Sequence, residues 1–271
     1  MAFYIYRPSN RAVRGIIWGL KNRYAVRYED LESFEDEEWW PDFSVHDVEG
    51  LLSRLDTKKV SGSDGVPSRL LREGALWLSF PLFRIFTQSI SSRHFPTCWK
   101  LADVSPIPKC KKPSITDFRP ISLTPVLSKL LERLVLKSVS SQLTPLYGAS
   151  QHAFRRYGST ESALVKMHDS VTSYLDRSYV TAVRMTCLDF SKAFDRVLHN
   201  KLINSLVACD VNRGFIFWLK DYLSDRWQRL KVNDIFGPIY PYVLVSLRVP
   251  FWALFCLHVS WGLCRYRQIQ P

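Results

Sequence analysis

Apolar residues recur at helical spacing in several stretches of the chain. After Ser44, which is suited to an N-cap, the spacing predicts an amphipathic helix with apolar residues at Val45, Val48, Leu51, Leu52 and Leu55. KKVSGSDGVPSRLL then predicts a loop, and a new helix follows toward Gln88. Two further helices are predicted, one over residues 160–175 and one with apolar positions at Val126, Leu130, Leu134 and Val135.

Three other stretches are typical of strands. HFPTCWKLADVSPIPK predicts a turn into a short strand, which Pro106 and Pro108 restrict to the edge of a sheet. ITDFRPISL predicts a second strand or turn. VTAVRMTCLDF is apolar and rich in β-forming residues, which predicts a buried strand that ends at Asp189 and leads straight into a helix.

Length and charge narrow the class of protein. The 271 residues suit one large domain or two ordinary ones, and 46% apolar residues exclude general disorder. The net charge is +12, yet ten of the 25 acidic residues and no Lys or Arg lie between Glu29 and Glu49. The other 250 residues therefore hold 37 basic and 15 acidic side chains. This excess predicts a polyanionic partner, nucleic acid before membrane, although the acidic stretch alone fits a solvated helix face equally well.

Six scattered cysteines without a CxxC pair argue against a zinc ribbon and a thioredoxin-like site. A disulfide framework is not expected at this size, and the start MAFYIYRPSNRAVRG lacks the apolar run of a signal peptide. We therefore expect an intracellular protein, in the nucleus or the cytoplasm, with free thiols.

The octet LDFSKAFD carries the sharpest chemical signal. An acidic residue at the tip of an apolar strand is rigidly held and exposed, which suits a metal-binding carboxylate, here Asp189. The octet alone fits a second interpretation equally well, in which Asp189 caps the following helix and Phe194 packs in the core.

Six motifs in order lead to a family resemblance. They are GSDGVP (62–67), FPTCWKLADVSPIPK (95–109), DFRPISLTPVLSKLLE (117–132), QHAFRRYGSTESAL (151–164), LDFSKAFDRVLH (188–199) and FWLKDYLSDRWQ (217–228). The series resembles the reverse transcriptases of jockey-like retrotransposons, which lack long terminal repeats, over about residues 43–232.

The resemblance implies an α+β right-hand polymerase fold with fingers and an incomplete palm. Residues 1–42 are an unassigned segment with the acidic stretch, 43–150 are fingers-like, 151–232 form the N-terminal part of the palm, and 233–271 are an aberrant hydrophobic tail. The implied partners are an RNA template with a DNA primer or target DNA, and Mg²⁺ is the implied cofactor. No stable membrane association and no small-molecule cofactor are expected.

The resemblance also implies roles for individual residues. Asp189 matches the first catalytic aspartate, which contacts both metal ions, and Phe194 matches the residue that disfavours a ribose 2′-hydroxyl. Lys109 and Arg119 match the basic residues that hold the triphosphate of the deoxynucleotide, where a guanidinium suits phosphate geometry. Lys109 belongs to the run KCKK, however, which could be only a solvated basic loop.

Two further basic residues, Arg155 and Arg156, resemble template or phosphate contacts. The family usually has Phe-Gly where this chain has His152-Ala153, which is a departure from the pattern. Asp195 is typical of its motif, but the resemblance gives it no metal, so a helix-stabilising role is expected.

The largest departure concerns the metal site. Transfer with two metal ions about 4 Å apart needs more than one carboxylate, and the family supplies the others from a Tyr-x-Asp-Asp hairpin. The sequence has no such run, and its last acidic residue is Asp234. Read two bases downstream with free codon choice, VSLRVPFWALFCL permits the family motif Leu-Pro-Gln-Gly-Ser-Val-Leu-Gly-Pro-Leu-Leu-Phe. We therefore expect a frameshift between about Val232 and Val245.

The tail also permits a membrane interpretation, because residues 249–264 are almost free of charge. Sixteen residues are short for a span of roughly 20, so the frameshift explains the tail better. Three functions then compete: an RNA-directed DNA polymerase by ancestry that is inactive as this chain, a nucleic-acid-binding remnant without catalysis, and a decayed copy without function.

Overall fold

The computed structural model describes residues 2–5, 39, 42–112, 114, 117–144, 151–153, 157–188, 198–209 and 211–241. The described elements form two compact units. The sheet unit contains α1 (Val45–Ser53), α2 (Ser68–Glu73), α3 (Ala75–Ser91), β2 (Leu101–Pro108), β3 (Phe118–Leu123), α4 (Val126–Leu143), α7 (Arg213–Leu223), β5 (Trp227–Val232) and β6 (Ile235–Pro241). The second unit contains β1 (Ala2–Ile5), α5 (Thr160–Leu175), β4 (Met185–Leu188) and α6 (His199–Ala208).

The predicted start of α1 is confirmed. Ser44 Oγ accepts a hydrogen bond from the Asp47 amide, and the Asp47 carboxylate accepts one from the Ser44 amide, which is a complete capping box. Val48 and Leu52 are fully buried on the face that the spacing indicates. The acidic stretch lies largely outside the described residues, and Asp47 and Glu49 are its part on α1.

The sequence predicts one helix toward Gln88, and the structure has two. Gly74 separates α2 from α3, and α3 continues past Gln88 to Ser91. Helix α4 buries Val126, Leu130, Leu134 and Val135, the four positions that the spacing singled out.

A four-stranded mixed sheet organises the sheet unit in the order β3-β2-β5-β6. Strand β2 is antiparallel to β3 and parallel to β5, and β5 is antiparallel to β6. The prediction that its prolines restrict β2 to an edge holds only for half of the strand. Strand β5 covers Leu101–Val104, so β2 is internal there, whereas Pro106 and Pro108 lie beyond β5 and need no ladder hydrogen bond on that side.

An aromatic cluster fills the core between α3 and α7. Phe95 packs edge-on against Trp99, Trp218 and Tyr222 at centroid distances of 6.0, 5.7 and 4.9 Å. The indole nitrogen of Trp218 donates to Ser89 Oγ at 3.1 Å, which satisfies its buried polar atom.

In the second unit, α5 has the predicted bounds, Thr160–Leu175, and Ser159 with Ser162 forms its capping box. Strand β4 pairs antiparallel with β1, with Ala2 opposite Leu188. The prediction that β4 is buried is wrong for its described side chains, since Met185 is 42% exposed and Cys187 is exposed. An apolar composition predicts a strand but not whether another element packs on its faces. Among the described residues, β1 is the one strand that pairs with β4.

No helix in the described part of the chain is long and apolar enough to cross a membrane. The tail from residue 242 onward lies outside the described residues, whereas residues 235–241, which the sequence assigned to that tail, form β6. The predicted domain boundaries and the frameshift stay predictions.

Candidate functional site

Lys109 and Arg119 lie on one face of the β2–β3 hairpin. Arg119 is opposite Ile107, and the ladder continues past β2 with a hydrogen bond of 2.8 Å from the Lys109 amide to the Asp117 carbonyl. Because side chains alternate along a strand, Lys109 and Arg119 point to the same side as diagonal neighbours. Both side chains are exposed. Two cations on one exposed face can contact one extended anion.

The loop at the hairpin tip is held by Asp117. Its carboxylate accepts hydrogen bonds from the Ser114 hydroxyl at 2.7 Å and the Ser114 amide at 3.1 Å. These hydrogen bonds and, to a smaller extent, the charge of Lys109 lower the pKa of Asp117. The ionised carboxylate therefore stays fixed beside Lys109.

The GSDGVP loop supports the hairpin from its base. A Cβ atom on Gly62 would lie 2.5 Å from the backbone of Pro125 and from the carbonyl oxygen of Thr124, so only glycine fits there. Ser63 Oγ donates to the Leu101 carbonyl at 2.7 Å. This loop therefore connects the start of β2 with the turn between β3 and α4.

An ion pair joins β2 to β5. Arg229 Nε donates to Asp103 Oδ1 at 2.6 Å, and Asp103 is 1% exposed. The guanidinium of Arg229 also lies over the ring of Phe236, 4.2 Å from its centroid. The pair neutralises a buried carboxylate and fixes β5 beside the strand that leads to Lys109.

A second set of polar contacts joins the FPTCWK and FWLKD motifs. The Phe95 amide donates to Asp221 Oδ2 at 2.7 Å. Lys100 is almost completely buried, and its ammonium lies 3.1 Å from the same carboxylate oxygen and donates to the Asp221 carbonyl at 2.8 Å. The ammonium is therefore neutralised where water cannot reach it.

Glu132 is a buried carboxyl group that sequence reasoning missed. It is 1% exposed and accepts a hydrogen bond of 2.9 Å from Ser128 Oγ, one helical turn before it. Burial raises its pKa, and the positive charge of Arg226 opposes that shift. Arg226 itself donates to the Tyr222 carbonyl at 2.6 Å and lies over the Tyr222 ring. The sequence signal that could have revealed the burial of Glu132 is its position on the apolar face of α4, four residues after Ser128.

The other predicted site residues lie outside the described residues: Asp189, Phe194, Asp195, Arg155 and Arg156. The strand predicted before Asp189 is present as β4, which ends at Leu188. Among the described residues no three His, Cys, Asp or Glu side chains gather to hold a metal ion. These residues alone therefore do not fit a two-ion centre, and the roles of Asp189 and Mg²⁺ stay predictions.

Comparison with known proteins identifies the family of the chain. The reverse transcriptase (RNA-dependent DNA polymerase) family matches residues 108–245, which include both hairpin cations. A probable RNA-directed DNA polymerase from transposon BS of Drosophila melanogaster is 29% identical over 71% of this chain and 21% of its own length. The RNA-directed DNA polymerase from mobile element jockey of the same species is 30% identical over 73% of this chain and 22% of its own length.

A probable RNA-directed DNA polymerase from transposon X-element of Drosophila melanogaster is 30% identical over 68% of this chain and 20% of its own length. The chain thus spans about a fifth of the length of these relatives. The family match covers more than half of the chain and contains the last four of the six motifs. The chain therefore belongs to the reverse transcriptase family, and its relatives are RNA-directed DNA polymerases of jockey-like retrotransposons.

Proposed function

We propose that these residues are the fingers and the N-terminal part of the palm of an RNA-directed DNA polymerase. The observation that carries the proposal is the placement of Lys109 and Arg119 on one exposed face of the β2–β3 hairpin. In this role they hold the triphosphate of an incoming deoxynucleotide. Strand β5 pairs in parallel with β2, so β5 and β6 extend the fingers-like region.

The chemistry of the hairpin supports an anionic ligand. The two cations are diagonal neighbours on the hairpin, and Ser114 holds the Asp117 carboxylate at the tip. A guanidinium offers two parallel donors to a phosphate, and an ammonium acts as a compact charge beside it. The hairpin would bind and orient the triphosphate without itself supplying a reacting group.

The metal ions would be bound by residues of the palm. In this proposal Asp189, next after β4, is a ligand of Mg²⁺, which supplies charge neutralisation for the transferred phosphoryl group when bound. Phe194 favours deoxynucleotides, and Arg155 with Arg156 contacts the template. The 271 residues contain no Tyr-x-Asp-Asp run, so this polypeptide alone is expected to bind without polymerising.

The hairpin assignment is tested with a fluorescent deoxynucleoside triphosphate in the presence of Mg²⁺. Lys109→Gln and Arg119→Gln should each weaken its binding about ten-fold, because each removes a charged hydrogen bond. Lys111→Gln, two residues away in the same KCKK run, is the matched control and should change affinity less than about two-fold. Equal losses from Lys109→Gln and Lys111→Gln would mean that the run is only a solvated basic loop.

The inactivity of the 271-residue chain is tested by primer extension on an RNA template with deoxynucleotides. We expect no product, and any template-dependent extension would overturn this part of the proposal. The second candidate function, a nucleic-acid-binding remnant without nucleotide binding, is favoured by the net charge of +12. It predicts RNA binding that falls steeply with salt and no binding of the fluorescent deoxynucleoside triphosphate by the parent chain.

A further inference from the structure

Strand β5 places more cations on the face that carries Lys109 and Arg119. In the parallel register Asp103 is beside Arg229, and Asp103 is on the same side of β2 as Lys109, six residues later. Lys231 follows Arg229 on that side of β5. Arg229 and Lys231 therefore lie on the same side of the sheet as Lys109 and Arg119, with the buried Asp103 between the two groups.

An aromatic ring lies between these additional cations. Phe236 of β6 is opposite Lys231, and the ring is 48% exposed. The guanidinium of Arg229 lies 4.2 Å and the ammonium of Lys231 lies 5.3 Å from its centroid. Trp227, on the same side of β5, is 44% exposed. The two cations hold the Phe236 ring in place while about half of it stays accessible.

We propose that Phe236 and Lys231 form a binding site for single-stranded RNA, with a base stacked on Phe236 and a phosphate beside Lys231. Proteins bind single strands in this way, through aromatic side chains for the bases and a positively charged groove for the backbone. The charge of the face favours this occupant: Asp103 neutralises Arg229, and Lys231 adds a positive charge beside the Phe236 ring, which suits the phosphate of a stacked nucleotide. The inference rests on the proposed function, because the strand that it binds is the template.

The opposite face of the same strand provides a matched control. Tyr240 is opposite Gln228, so it lies on the other side of the sheet from Phe236, and it is 59% exposed. It is an aromatic residue of similar size in the same strand β6. Replacing either ring by leucine removes an exposed aromatic side chain from β6, but only Phe236→Leu removes one from the cationic face.

The experiment measures binding of a fluorescein-labelled single-stranded RNA to the 271-residue chain by fluorescence anisotropy over a range of salt concentrations. Phe236→Leu should weaken binding about five-fold or more, while the slope of log affinity against log salt stays unchanged, since no charge is lost. Lys231→Gln should weaken binding and reduce that slope by about 0.7. Tyr240→Leu should change neither quantity, and Phe236→Trp should keep the parental affinity because it keeps a stacking surface.

These measurements separate the possible failures. If the parent chain binds no RNA, both the inference and nucleic-acid binding under the proposed function are overturned. If the parent binds and Phe236→Leu binds as well as Tyr240→Leu, only the inference is overturned. If Phe236→Leu changes the mass of the protein in light scattering but not its RNA affinity, the face is a protein interface, and the inference is likewise wrong. Circular dichroism of each variant identifies any that has failed to fold. If Phe236→Leu does not fold, the RNA affinity of Phe236→Trp tests the inference instead: the parental affinity is expected, and a weaker affinity would overturn the inference.

Discussion

Asp103 and Arg229 are separated by 126 residues along the chain and joined by a hydrogen bond of 2.6 Å. Asp103 lies on β2 and Arg229 on β5, and the two strands run in parallel at this point. Their pairing brings the strand that leads to Lys109 beside the strand that carries Lys231. Lys109 and Lys231 therefore lie on the same side of one sheet, on either side of a buried ion pair.

The first prediction concerns the stability of this ion pair. Asp103→Ala should lower the free energy of unfolding by about 2–3 kcal/mol, because Arg229 would keep a largely buried guanidinium without its carboxylate. Urea denaturation of the chain at neutral pH measures the loss. The exposed pair Arg69–Glu73 on α2 is the control, and Glu73→Gln should cost less than about 0.5 kcal/mol. Similar losses from both variants would show that the buried ion pair contributes no more to the free energy of unfolding than the exposed pair does.

The second prediction uses two glycines with opposite surroundings. Gly62→Ala should destabilise the chain by about 1–3 kcal/mol, since its Cβ would overlap the backbone of Pro125. Gly50→Ala should stabilise it by about 0.5–1 kcal/mol, because Gly50 is inside α1 and nothing lies within 4 Å of the new Cβ. Thermal and urea unfolding measure both changes. A neutral Gly62→Ala would mean that the GSDGVP loop does not pack tightly on the β3–α4 turn.

Local features of this fold could be predicted from sequence alone. The start of α1 at its Ser44 cap and the bounds of α5 depend on hydrogen bonds within a few residues, so the pattern was sufficient. Pro106 and Pro108 indicated an edge position for β2, because proline lacks the amide hydrogen that a neighbouring strand would need. They could not reveal that β5 pairs with only the first half of β2.

The parts that the sequence did not predict depend on contacts between distant segments. The pair Asp103–Arg229 requires the parallel register of two strands, which no local pattern specifies. Glu132 was read as part of a helix, although its position on the apolar face of α4 pointed to burial. The exposure of Met185 shows the reverse case, since apolar residues indicate what a strand could bury and not whether a neighbour covers it.

The third prediction concerns the aromatic cluster between α3 and α7. Phe95→Ala should cost about 3–5 kcal/mol, because Phe95 is fully buried and touches Trp99, Trp218 and Tyr222. Phe95→Leu keeps most of the volume and should cost less. Tryptophan fluorescence during urea unfolding follows the loss directly. Phe80→Ala on the exposed side of α3 is the control and should stay within about 0.5 kcal/mol of the parent, so equal losses at the two positions would contradict the assigned core.

The last prediction is a pH dependence at the start of α1. The hydrogen bond from Lys137 at 2.7 Å, assisted by those from Ser44, lowers the pKa of Asp47 to about 2. A carboxyl whose pKa is lower in the folded state stabilises the fold above its unfolded pKa of roughly 4, and this stabilisation is lost as the pH falls toward 2. Asp47→Asn should therefore be less stable than the parent at neutral pH.

The difference between Asp47→Asn and the parent should shrink between about pH 4 and pH 2 and vanish below that range. Urea unfolding at a series of pH values measures it. Lys137→Gln removes the partner and should abolish much of the same pH dependence, and adding Asp47→Asn to it should then have a smaller effect than in the parent. If the two variants act independently at neutral pH, the bond between α1 and α4 is not what lowers the pKa of Asp47.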